Sequence, residues 1–118
     1  MLKVFKDFYG TQNDFERTWS DLTDTVNGRW DESEGVSTFA VQISKDIIVH
    51  IIKMKKGAKL GLRKHPFIYK KILITDGVAL FNQSRRLVVG SYEKIPVGYS
   101  HQIEAVEDLE LISTFNKR

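Results

Sequence analysis

His50, His65 and His101 are the chain's only histidines, and two of them sit in glycine-bracketed stretches. His65 closes the basic run Arg63-Lys64-His65 inside Gly57–Gly77 (GAKLGLRKHPFIYKKILITDG). His101 ends Gly90–His101 (GSYEKIPVGYSH). Imidazole exchanges a proton near neutral pH and, when neutral, ligates transition metals. Arg63 offers a planar fork for a carboxylate or phosphate, and Lys70 offers a point charge. Tyr69 and Tyr99 add phenol hydroxyls able to act as acids. These types allow anion binding and acid–base chemistry. They also allow a metal centre of His50, His65 and His101 with an open position for Zn, Fe, Ni or Mn. The plainer reading of His50 is a core histidine hydrogen-bonded to a neighbour.

Composition narrows the classes. A chain of 118 residues, 42% hydrophobic, is long enough for one domain with a real core. Cysteine is absent, which excludes disulfides, thiolate metal sites and cysteine nucleophiles and fits a reducing compartment. No apolar run reaches membrane-spanning length, and MLKVFKDFYG lacks a signal-peptide core, so a cytoplasmic protein is expected. The net charge of +3 is uneven: residues 45–94 carry twelve basic and three acidic side chains between two acidic ends. Such a middle suits an anionic ligand, although lysines on solvent faces of strands give the same pattern. Aromatic and basic residues interleave only around Arg63–Lys71, which gives nucleic-acid binding little support. Walker-type glycine loops and G-x-S-x-G elbows are absent.

The elements that must hold these residues are mostly strands. Residues 2–8 alternate loosely and suggest a short strand. Thr11 then caps a helix whose stripe is Phe15, Trp19, Leu22 and Val26, ended by Asn27-Gly28. Residues 29–35 read as a polar turn around Trp30. From residue 36 the apolar period shortens. VSTFAVQI, DIIVHIIKM, FIYKKILI, VALFN, RLVVGSYEKI, HQIEAV and LELISTF are rich in β-branched and aromatic residues and separated by turn signals. Seven such strands predict an all-β sandwich or barrel. Alternation puts Ile48, His50, Ile52 and Met54 on one face, with Lys53 opposite and reaching solvent. Lys70, Ile72 and Ile74 share a face, and His101 points with Ile103 and Ala105.

The two glycine-bracketed stretches resemble the paired motifs of the cupin family. In the first, Gly57 is followed at the family's spacing by Arg63, His65, Lys70 and Gly77; in the second, Gly90, Pro96, Gly98 and His101 fall in place, with Ala105 at the final position. The resemblance implies an all-β, cupin-like antiparallel β-barrel (double-stranded β-helix, or jelly roll) with one N-terminal α-helix. It implies a single domain over residues 1–118, with 1–35 an N-terminal strand and helix extension and 36–115 the barrel. Metal-binding members use two histidines and a glutamate from the first motif and a histidine from the second. Here His65 and His101 remain, while Arg63 and Lys70 stand where a histidine and the glutamate belong. Two cations facing a divalent ion would repel it, and arginine has no lone pair to give.

The resemblance therefore implies a cupin-like protein that binds a small anionic ligand through Arg63, Lys70, His65, His101 and Tyr99, without the usual four-ligand metal site and without a cofactor. A sugar or small-acid isomerase or lyase activity, with His65, His101 and Tyr69 as its acid–base residues, is one extension. The rivals are a metal-dependent small cupin and a non-catalytic interaction or regulatory barrel. A homodimer is expected, because open sheet edges are commonly protected by pairing and small cupins often dimerise.

Overall fold

The computed structural model describes residues 19–63, 68–95 and 101–117, with the backbone alone at 61–63 and 68. Residues 19–24 are helical. Ten strands follow: β1 (Asp31–Ser33), β2 (Val36–Ser44), β3 (Ile47–Met54), β4 (Lys59–Arg63), β5 (Ile68–Asp76), β6 (Ala79–Phe81), β7 (Arg85–Leu87), β8 (Tyr92–Ile95), β9 (His101–Ala105) and β10 (Leu109–Lys117). They form a six-stranded sheet, β1-β2-β3-β10-β5-β8, and a four-stranded sheet, β4-β9-β6-β7. Every pairing is antiparallel. This is the all-β architecture anticipated from the spacing of strands and turns, and it is consistent with the jelly roll that the family resemblance implied.

β10 organises the larger sheet because it pairs on both sides, with β3 and with β5. Its burial alternates along its first seven residues, so Leu109, Leu111, Ser113 and Phe115 define the inner face. Register carries that face outward. Leu111 lies opposite Ile52 and Ile74, Ser113 opposite His50 and Ile72, and Phe115 opposite Ile48 and Lys70. The predicted faces of β3 and β5 are thus the observed ones, with Ile48, His50, Ile52 and Met54 buried and Lys53 exposed. From the smaller sheet, Phe81, Leu87, Ile103 and Ala105 complete the main core, together with Ile52, Met54, Ile72, Ile74, Leu109 and Leu111. Trp19 and Leu22 from the helical segment bury against Ile48 and Phe115, with Val26 packed alongside. The first part of the predicted helix, including Thr11 and Phe15, and the strand over 2–8 lie outside the described residues.

Three sequence expectations change. The segment 29–35 is not simply a turn: Asp31–Ser33 pairs with β2. A two-residue loop, Glu34-Gly35, has positive φ at both positions (51° and 81°), a conformation whose twist matches antiparallel strands. Glutamate is an unusual residue there, which hid the hairpin. The glycine-rich bend after Gly57 contains a strand, β4, paired with β9. The run 86–95 divides into parts of β7 and β8 around a turn. Val88 O accepts Ser91 N–H at 2.8 Å, and Ser91 Oγ accepts Val88 N–H at 2.9 Å.

Gly77 has φ +84°, and a Cβ built there would lie 2.1 Å from Asp108 O. The β5–β6 turn therefore lies directly against the backbone leading into β10. Gly77→Ala is expected to lower stability by roughly 3 kcal/mol, combining left-handed strain with a backbone clash. Chemical denaturation would measure it; a loss below about 1 kcal/mol would show that this turn tolerates a side chain.

Candidate functional site

The two sheets meet through polar side chains near one end of the inner face. Lys70 follows Tyr69 in β5, so alternation turns it inward beside Phe115 and Ile95, its register partners. His101 opens β9 in the other sheet. Lys70 Nζ lies 2.9 Å from His101 Nε2, and the residues are only 3% and 2% exposed. A hydrogen bond needs one donor and one acceptor, so these two bases cannot both be cations at that distance. With Lys70 as an ammonium, it donates to an unprotonated Nε2, and the His101 proton sits on Nδ1. Lys70 Nζ also stands 5.2 Å from the Phe115 ring centroid, within cation–π range. Phe81 stacks on His101 at 6.3 Å between centroids.

His50 occupies the neighbouring level. Its ring meets Phe115 edge-on at 4.9 Å, and its Nε2 lies 2.9 Å from Thr25 Oγ1. Thr25 Oγ1 also lies 2.5 Å from Leu22 O, a carbonyl that can only accept. The threonine hydroxyl proton therefore goes to Leu22 O, and His50 Nε2–H donates to Thr25. The segment after the helix is thus tied to the inner face of β3. On the far side, Arg85 of β7 donates to Glu93 of β8 and lies over Phe81 at 5.4 Å, joining the two sheets a second time. Ser113 Oγ is fully buried on the same inner face and has no hydrogen-bond partner among the described residues.

The residues predicted to form the site separate into groups. Lys70 and His101 come together. Tyr69 does not join them; it is half-buried on the opposite face of β5, because neighbours in a strand alternate. His65 and Tyr99 lie outside the described residues. Arg63 is fixed by its backbone, which pairs with His101 in register. His50 is a hydrogen-bonded inner-face histidine. Sequence reading missed Phe115, Thr25 and the Arg85–Glu93 pair as neighbours of the site. Alternation in LELISTF does place Phe115 on the Leu111 face, but no local pattern pairs Arg85 with Glu93.

A metal ion fits the described residues poorly. No group of three or more histidine or carboxylate side chains among them is placed to hold one. The Nε2 atoms of His50 and His101 are engaged by Thr25 and Lys70. Lys70 Nζ occupies the hydrogen-bonding position in front of His101 Nε2, so a metal at that nitrogen would have to displace it. A separate open depression of about 610 Å³, lined in part by Lys56, Asp76, Val88, Val89 and Asp108, lies at the other end of β5. Asp76 lies six positions beyond Lys70, roughly 20 Å along a strand.

No protein-family model matches the chain, and no curated protein matches it. Solved structures do. KdgF from Halomonas sp. aligns with a TM-score of 0.69 at 22% identity, covering 76% of this chain and 86% of that one. A sugar phosphate isomerase of the cupin superfamily from Silicibacter pomeroyi aligns at 0.66 and 17% identity, covering 81% and 74%. Ectoine synthase from P. lautus aligns at 0.66 and 11%, covering 80% and 74%. The chain has the cupin fold, as its motif spacing implied.

The hydrogen-bond directions are checkable. Long-range ¹H–¹⁵N spectra should show His50 as the Nε2–H tautomer and His101 as Nδ1–H. Thr25→Val should cost about 1–2 kcal/mol by leaving a buried donor unpaired. A His50 found as Nδ1–H would reverse the assignment.

Proposed function

We propose that this protein binds a small anionic molecule inside the cupin barrel, using Lys70 and His101 in place of the family's metal. The observation that carries this reading is the buried 2.9 Å contact between Lys70 Nζ and His101 Nε2. An ammonium held in a largely apolar wall presents positive charge where water screens it least, and it donates to a carboxylate or phosphate oxygen. His101 accepts or returns a proton at Nε2, which would suit isomerase or lyase chemistry on a bound sugar or small acid. Arg63, His65 and Tyr99 belong to the same proposed site. The fold likeness to a sugar phosphate isomerase and to ectoine synthase supports the small-molecule part of this reading.

A homodimer and a cytoplasmic setting complete the proposal. Among the described residues, β1, β8, β4 and β7 are sheet edges, and such edges offer backbone groups to a second copy. Sedimentation should give twice the 13.6 kDa chain mass; a monomer at micromolar concentration would remove this part.

Calorimetry with small carboxylates and phosphates tests the central claim. Lys70→Met, which keeps length and removes charge, should weaken binding at least about tenfold while the fold is retained by circular dichroism. Elemental analysis of the purified protein should find no stoichiometric transition metal. Unchanged anion affinity in Lys70→Met, or a bound metal lost in His101→Ala, would overturn the reading.

A further inference from the structure

We infer that Lys70 is a covalent capture group for carbonyl compounds, forming an imine through Nζ inside the barrel. The inference rests on the anion-site reading and specifies the ligand class: small aldehydes or ketones that also carry a carboxylate or phosphate. Three observations support it. Lys70 is a primary amine only 3% exposed, aligned in register with the apolar Phe115 and Ile95. Lysines desolvated in this way are the ones that act as nucleophiles. Its Nζ is 2.9 Å from His101 Nε2, a base able to take the proton that blocks the amine's lone pair. Ser113 Oγ, on the same inner face one residue pair along β10, is buried with its hydrogen-bonding capacity unused among the described residues. It is available to the oxygen of the attacked carbonyl.

The step balances without an oxidant or reductant. The Lys70 ammonium passes a proton to His101 Nε2, and the freed amine forms an N–C bond to the carbonyl carbon. The carbonyl oxygen becomes the hydroxyl of a carbinolamine, takes the proton back from His101, and leaves as water. An iminium remains, with the single positive charge the lysine began with. That cation withdraws electrons from the adjacent carbon, which is what isomerisation, decarboxylation or lyase chemistry at that carbon requires.

The test uses the unmodified protein with pyruvate and glyoxylate as probes and borohydride to trap the imine, followed by peptide mass mapping. Lys70 should carry the reduced adduct at least about tenfold more than the exposed Lys53 and Lys94. Lys70→Arg should lose that adduct while surface labelling persists, and His101→Asn should slow trapping. Lactate, which lacks the carbonyl, tests the parent reading separately by calorimetry. Lactate binding with Lys70 unlabelled while surface lysines react overturns carbonyl capture and leaves the anion site standing. Trapping at Lys70 without lactate binding does the reverse.

Discussion

The molecule depends on one strand being buried between two others. β10 supplies hydrogen bonds to β3 and β5 at once, and its alternation decides which side chains of all three face inward. Because side chains alternate with a period of two, a slip of one residue in β10 would turn Leu111, Ser113 and Phe115 outward. It would also separate Phe115 from Lys70 and His50. The apolar core and the polar site are therefore set by the same register. Gly77 contributes to that register by letting the β5–β6 turn lie against Asp108 just ahead of β10.

Within that frame, the site is unusual for where it places charge. The main core that draws on both sheets is an apolar cluster, with Ile103 grouped with Ile52, Met54, Ile72 and Ile74. Lys70 and His101 instead bring two basic groups together in a space that disfavours charge on either. The arrangement is tolerable because one can accept from the other, and because the faces of Phe115 and Phe81 lie close by. Lysine at position 70 makes this part of the interior basic, where a glutamate would make it acidic.

Much of this was legible in the residues. Alternation in DIIVHIIKM and HQIEAV put His50 and His101 with the apolar faces, alternation in FIYKKILI put Lys70 on one face with Ile72 and Ile74, and the resemblance of the two motifs to the cupin family implied the fold. Misreadings came where local signals conflict with pairing. Glu34 occupies a left-handed turn position that sequence habits assign to glycine or asparagine, and so β1 went unseen. Lys59–Arg63 holds a central glycine and looks like a bend, yet it is held as a strand by β9. Tyr69 entered for its phenol alone, and strand geometry sends it to the face opposite Lys70. The Thr25–His50 and Arg85–Glu93 contacts join segments that no periodicity connects.

The position of β10 also shapes how the chain reaches this structure. β3 and β5 are not neighbours; the strand between them is synthesised only after the whole stretch from Gly77 to Asp108. Until β10 arrives, both strands present an unpaired edge and an uncovered inner face, the features that invite association with other chains. Formation of the larger sheet is consequently a late, non-local event, dominated by contacts between residues distant in sequence, and such topologies fold slowly. Before that moment the inner face beside Lys70 and His50 lacks Phe115 and Ser113. Assembly of this polar cluster and completion of the core thus share a single closing step.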